Sequence, residues 1–413
     1  MAQALAGFRV LDFTHVLSGP VATHLLALHG AEVVKIESAD GDAMRNYGGS
    51  GPPPAGDAAG TSPSFRSFNA GKRSVVLDLK DPRHLALARK LVATADVVVE
   101  NFRAGVMDRL GLGFEACQAI RPGIVFCSIS GFGQTGPLRH NPALDQIIQS
   151  VSGLMTLSGE PGSPSMRVGF PLVDTFTGTT AALAIVMALL RRERSGEGQC
   201  IDVAMLDAAM AMMVSVAGPF LLAGVRPAKT GNLGYSRSAT ADTFPTADGE
   251  LTLGVTRQDQ FATLCRALAR EDLLADPRFA DKWLRQRNRA PLRAELVTTF
   301  ATRSALDWEH VLTAAGLAAA AVRDLAEALA LPHLRGRRAV LPIDGDASAA
   351  PAVVNAGFLF AEDGAAARAP APALGEHTRD VLAELGLDAA EIEALLAPRT
   401  TTGGHDRSKE TTP

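Results

Sequence analysis

The strongest constraint on this 413-residue chain is the order of elements at its start. A β-rich run at 8–13 (FRVLDF) gives way to a loop at 14–20, a helical stretch at 21–29 and a second apolar run at 31–36. Strand, helix and strand joined by short connections form a βαβ unit, whose two strands must run parallel because the helix carries the chain back along the sheet. The pattern continues, with strands expected at 74–79, 95–99 and 124–129 and helices at 82–94 and 114–120. This reads as an α/β protein with a parallel, doubly wound, Rossmann-like sheet.

Beyond that sheet the signals change. Residues 45–64 and 131–142 are rich in Gly and Pro and read as loops, whereas 143–157 and 174–192 read as helices. The apolar stretches 181–190 and 203–222 are too short, or too interrupted by polar residues, Gly and Pro, to span a bilayer, and are read as buried helices. A hairpin at 246–253 opens a mostly helical region reaching about 325, a last helix is expected at 377–385, and the polar tail 399–413 is expected to be disordered. The expected division is a large domain of 1–200 plus 326–398, a linker helix region at 201–224, and a smaller α+β domain at 225–325.

Charge excludes several function classes. Forty-four acidic and 40 basic residues, a formal net charge of −4, are spread along the chain, so no basic field suits nucleic acid or an anionic membrane. Cys117, Cys127, Cys200 and Cys265 are scattered, with no metal-ligand spacing. Neither a disulfide framework nor a metal is expected, and the reading is a cytoplasmic protein. No leader-like apolar run is read at the N-terminus.

The strand–loop–helix start is a tempting nucleotide site, but THVLSGP has one glycine where a dinucleotide fingerprint needs three, so a nicotinamide oxidoreductase is disfavoured. A different set of motifs recurs along the chain. They are Asp12-Phe13-Thr14 with Gly19-Pro20, GAEVVKIE at 30–37, Gly41-Asp42 with Arg45, FNAGKRSVVLDLK at 68–80, ADVVVENF at 95–102 and GFGQTGP at 131–137. Val173-Asp174 with Gly178, SGEGQCIDVAMLDA at 195–208, DPRFA at 276–280 and LGEHTRDVL at 374–382 complete the series. In this order the set resembles the family III CoA-transferases, which include formyl-CoA transferase, carnitine CoA-transferase and the α-methylacyl-CoA racemases.

The resemblance implies that coenzyme A, as co-substrate, is moved from an acyl-CoA donor to a carboxylic acid acceptor through an aspartyl anhydride and an aspartyl-CoA thioester on Asp174, with no metal. It further implies an interlocked homodimer. Small dicarboxylates are the expected substrates, and CoA transfer between the two carboxyls of one dicarboxylate would look the same in sequence. For CoA it points to Val16, Leu17 and Ser18, to Leu77 and Lys80, to Asn101 and Phe102, and to Arg109. A cation suits phosphate and apolar side chains suit adenine and pantetheine. Each of these residues has an ordinary reading as well. Asp174 is equally the kind of residue that caps a helix, a helix N-terminus favours an ionised carboxylate, and Lys80 and Arg109 could be solvated surface charges.

The sequence also departs from the family pattern. Leu17 stands where some transferases have glutamine, Ser38 where some have a basic CoA contact, and Pro142 where formyl-CoA transferase has lysine, which leaves Arg139 as a phosphate candidate. Racemases carry a histidine directly before the aspartate that follows the GQxGP loop. Here the pair is Leu144-Asp145, and leucine cannot shuttle a proton. That weakens the racemase alternative, for which His140 is a poor substitute. His15 reads as a structural histidine, Arg167 and Arg237 as partners for a distal carboxylate, and the Gly231–Gly234 segment as either a lid hinge or a plain loop. A CoA-binding protein without catalysis remains the non-enzymatic reading.

Overall fold

The structure, a computed structural model, describes residues 3–47, 61–345 and 351–397. The chain divides into two compact units. One comprises Met1–Ile148, Pro171–Met212 and Arg338–Pro413, the other Gln149–Phe170 and Met213–Arg337. The expected loop at 45–64 lies partly, and the expected tail at 399–413 wholly, outside the described residues.

The first unit is built on a six-stranded sheet in the order β3-β2-β1-β4-β5-β6, with β1 Arg9–Asp12, β2 Glu32–Glu37, β3 Arg73–Val76, β4 Val97–Glu100, β5 Val125–Ser130 and β6 Gln199–Ala204. Every pairing is parallel. Runs such as VVVE and VFCSIS are apolar at successive positions because helices cover both faces and each side chain meets a core. One core joins Leu11, Val34, Val75, Val98 and Phe126 to Leu87 and Leu91 of the helix Pro82–Thr94 and to Val381 and Leu382 of the helix Thr378–Glu384. The opposite core joins Val10, Val33, Val97 and Val125 to Ala22 and Leu26 of the opening helix (Ser18–Leu28) and to Ala181, Ile185 and Ala188 of the long helix (Leu172–Ser195).

Several elements differ from the sequence expectation. β6 begins before the apolar stretch read as helix, and its alternating half-buried and exposed residues mark it as a sheet edge, a weaker pattern than the interior strands give. The expected helix at 143–157 is two pieces, Asp145–Val151 and Leu154–Thr156, separated at Gly153, whose φ of 83° no right-handed helix allows. The stretches read as buried helices are only partly so. In the long helix Leu183, Met187 and Leu190 face outward, and the helix Val214–Ala223 has no buried residue, with Leu222 90% exposed. Apolar composition alone therefore misplaced one face of each. The long helix, at 24 residues, is apolar enough to cross a membrane by length and composition, yet 44% of its most apolar window is buried inside the protein.

The second unit carries an antiparallel sheet of β7 Ala241–Pro245, β8 Glu250–Gly254 and β9 Ala319–Ala321 in that order. Its core gathers Phe244, Leu251, Phe261, Phe300 and Trp308.

Candidate active site

In an open parallel sheet, ligands bind beyond the carboxyl ends of the strands where the strand order reverses direction. Here that point lies between β1 and β4, and the loops leaving those strands are 13–17 and 101–105. Two cavities open there, of about 370 Å3 and 340 Å3, sharing His15, Phe102 and Val106.

Val16, Leu17, Ser18, Asn101, Phe102 and Asp174 all line the larger cavity. Leu77 and Lys80 line the smaller, together with Ser38, Asp42 and Phe102. Arg109 lines neither cavity and sits exposed on the short helix Val106–Leu110. Arg103, Arg139, Pro142 and Leu144 complete much of the larger cavity. The Arg139 Nε donates to His140 Nε2 at 2.9 Å. Arg167 and Arg237 belong to the second unit, where Arg237 lines a separate cavity of about 400 Å3 with Arg226 and Tyr235. The Gly231 and Gly234 amides are bonded within that unit, to the carbonyls of Gly159 (3.2 Å) and Ala241 (2.7 Å).

Asp174 is not the cap of the long helix. Pro171 holds that position, and Asp174 is the third residue inside, its backbone N–H donating at 3.0 Å to Oδ1 of Asp145. Its carboxyl is half-buried and lines the larger cavity beside Ser18, whose hydroxyl favours the ionised form. Burial first, and the neighbouring Asp145 carboxylate second, raise the Asp174 pKa to about 6, although the Ser18 hydroxyl works the other way. Desolvation and a like charge outweigh the dipole effect of about 0.3–1 kcal/mol that favours the ionised form at a helix start.

Close approach of two helices brings Ser18 to Asp174. Gly178 lies one turn beyond Asp174, and a Cβ there would stand 2.5 Å from the Ser18 carbonyl oxygen and 2.9 Å from the Val21 side chain. Only glycine allows the long helix to pack so tightly on the start of the opening helix.

The loop between β1 and the opening helix is fixed from all sides. Asn101 grips the main chain of His15 twice, its Oδ1 accepting from the His15 amide (2.9 Å) and its Nδ2 donating to the His15 carbonyl (2.8 Å). Its amide is thereby committed to the loop. The His15 ring lies 5.4 Å from that of Phe102, and its pKa is lowered chiefly by burial. Asp12 Oδ1 accepts from the backbone and hydroxyl of Thr14, and the Lys35 Nζ donates to the Thr14 carbonyl at 2.6 Å.

Beneath the loop lies a buried charge network in which Lys35 pairs with Asp42 (3.0 Å), Lys72 with Asp12 (3.0 Å) and Arg45 with Glu37 (2.6 Å). Asp12, Lys35 and Lys72 are fully buried. Glu100, at the end of β4, is also buried and has its pKa raised to about 7, chiefly by desolvation, against hydrogen bonds from Ser128 and the Phe102 amide. The sequence reading assigned these residues no role. The available signal was a lysine inside the apolar strand EVVKIE, since an ionised side chain is found fully buried only when paired.

The match to known proteins covers nearly the whole chain. The sequence profile of CoA-transferase family III matches residues 5–378. A succinate–glutarate CoA-transferase from Agrobacterium fabrum is 36% identical over 390 residues, 92% of this chain and 95% of the relative. An acetyl-CoA:oxalate CoA-transferase from Acetobacter aceti is 38% identical over 341 residues, 82% of this chain and 86% of the relative. Among solved structures, a CAIB/BAIF family protein from Brucella suis superposes with a TM-score of 0.85 at 32% identity, over 93% of this chain and all of that one. The parallel sheet, the motifs in their order and these likenesses agree, and the chain is a member of CoA-transferase family III.

Proposed function

We propose that this enzyme moves CoA between small dicarboxylic acids, with Asp174 as the covalent nucleophile. The observation that carries the reading is the half-buried Asp174 carboxyl, lining a cavity at the strand-order reversal beside Ser18. The Asp174 carboxylate attacks the donor thioester carbonyl, the C–S bond breaks, and CoA leaves as a thiolate from an aspartyl acyl anhydride. The thiolate then attacks the aspartyl carbonyl, freeing the donor acid and forming an aspartyl-CoA thioester. The acceptor carboxylate attacks that thioester to regenerate an anhydride and the thiolate. Thiolate attack on the acceptor acyl carbon releases the new acyl-CoA and restores Asp174. One activated acyl bond replaces another at each step.

CoA has the chemistry to fill both cavities, with its thioester end beside Val16, Leu17, Ser18 and Asp174 and its adenine end beside Leu77. Phe102 lies between the two, and Lys80 is available to phosphate. Arg109, exposed on the neighbouring short helix, suits a phosphate that extends beyond the cavities. The dicarboxylate class is supported by relatives named for succinate, glutarate and mesaconate, and Arg139, which lines the Asp174 cavity together with Arg103, has the chemistry to meet a second carboxylate. Leu144, 62% exposed on that cavity, occupies the position where a racemase would need a proton-transferring group. A homodimer accounts for the outward apolar residues Leu183, Met187 and Leu190 of the long helix, since a monomer rarely exposes such a face. The four free cysteines suit a reducing, cytoplasmic setting.

The test is intact-mass analysis after incubation with succinyl-CoA and other acyl-CoA donors followed by hydroxylamine. A hydroxamate mapped to Asp174 and absent from Asp174→Ala is the expected result. No adduct with any donor, together with α-proton exchange into deuterated water, would replace this mechanism with racemase chemistry.

A further inference from the structure

Val16 has φ 67°, in the left-handed region. For a β-branched residue this is an outlier, and such strain persists only where the surroundings over-determine it. The Val16 amide is held by Asp42, whose two carboxylate oxygens lie 3.1 and 3.3 Å from it. Asp42 is itself tightly fixed. Its Oδ1 accepts from the Met44 amide (3.0 Å), its Oδ2 pairs with the fully buried Lys35 (3.0 Å), and its own amide donates to Glu37 (3.0 Å). Two residues after Val16 comes Ser18, the first residue of the opening helix, which lines the same cavity as Asp174.

We propose that Asp42 is a positioning residue for CoA transfer: by holding the left-handed turn at Val16 it sets the entry of the chain into the opening helix so that Ser18 faces the Asp174 carboxyl. This rests on the assignment of Asp174 as nucleophile. Without that hold, the Val16 backbone relaxes toward negative φ, the chain enters the opening helix in another direction, and the Ser18 hydroxyl withdraws from Asp174. Asn101 holds the carbonyl edge of the same His15–Val16 peptide whose N–H Asp42 accepts, so the two side chains fix that peptide from opposite edges, and Asp42 is the one that carries charge.

Asp42→Asn distinguishes this role from bulk. The new side chain has one acceptor oxygen, for which the charged, buried Lys35 competes most strongly, so its NH2 is left facing the Val16 and Met44 amides. Glycine adopts positive φ without strain, so Val16→Gly removes the need for Asp42's hold. The experiment measures steady-state turnover and single-turnover formation of the hydroxylamine-trapped Asp174 adduct for wild type, Asp42→Asn, Asp42→Ala, Val16→Gly and the Val16→Gly/Asp42→Ala double variant. Circular dichroism reports folding.

Both Asp42 variants are expected to slow adduct formation and kcat by at least about tenfold, as misplacement by an ångström does, with the acyl-CoA KM within about threefold of wild type. In the Val16→Gly background the same Asp42 change is expected to cost less than about threefold, a non-additivity that a merely structural aspartate would not show. Folded Asp42 variants with wild-type kcat, a change confined to KM, or an undiminished cost in the Val16→Gly background would each overturn the proposal. If Asp42→Ala does not fold, Asp42→Asn decides by the same rate criteria. Absence of an adduct from wild type itself would overturn the covalent mechanism, whereas the kcat comparison still decides the role of Asp42.

Discussion

Replacing Asp174 by asparagine is expected to abolish transfer and, at the same time, to stabilise the protein at alkaline pH. Aspartate in an unfolded chain titrates near its ordinary value of 3.8, whereas in the folded protein burial and the Asp145 carboxylate raise Asp174 to about 6. Because the folded value lies above the unfolded one, it is the ionised form that the fold disfavours. The penalty is complete above about pH 6, fades as pH falls from there to 3.8, and is absent below. A separation of about two pKa units corresponds to about 3 kcal/mol, and the water that reaches a half-buried carboxyl reduces this to about 1–2 kcal/mol. Asparagine keeps the acceptor oxygen for the Ser18 hydroxyl and carries no charge to desolvate. Urea unfolding at matched protein concentration is expected to show Asp174→Asn more stable than wild type by that amount at pH 8 and equal to it at pH 4. At pH 8 the thermal midpoint should rise by about 1–3 °C for a chain of this length. In wild type, kcat/KM should fall as pH drops through about 6, where the nucleophile takes up its proton. Equal stability at pH 8, or an advantage that persists undiminished at pH 4, would refute the electrostatic account of this carboxyl.

Three further outcomes follow from the same geometry. Gly178→Ala places a methyl against the Ser18 carbonyl and Val21; urea unfolding should show a loss of about 1–3 kcal/mol from overpacking, and kcat should fall as Ser18 moves away from Asp174. Lys72→Met leaves the fully buried Asp12 without its partner and should destabilise the fold by about 3–5 kcal/mol in the same assay. Glu100→Gln removes a buried carboxyl whose pKa is raised to about 7. Its stabilising effect should appear above about pH 7 and vanish below about pH 4.5, and pH-dependent thermal unfolding of the pair will show whether it does.

Local patterning settled a large part of this protein. The βαβ rhythm and the continuous apolar strands require a parallel sheet with both faces covered, because the period and composition of each segment state how many of its faces are buried. The motif series located the loops after β1 and β4 and the aspartate at 174, since residue identity is the same information in a sequence as in a fold. Where burial is one-sided that logic weakens. β6 sits at a sheet edge, the helix Val214–Ala223 is apolar without being buried, and Gly153 divides a helix that composition left whole.

What only the tertiary structure decided is the state of each group. Asp174 reads in sequence as a carboxylate at a helix start, where the dipole favours the ionised form. Packing around Gly178 sets it beside Ser18 and Asp145, removes part of its contact with water and raises its pKa. Asn101 reads as a CoA contact, and only the fold shows that its side-chain amide bonds the backbone of His15. Asp42 and Lys35 lie seven residues apart in a motif that does not reveal their pairing, and the left-handed Val16 that Asp42 holds has no trace in composition or periodicity. Short-range sequence signals report which surfaces a segment must bury, whereas pKa values, strain and hydrogen-bond partners depend on distances between segments that only the folded chain brings together.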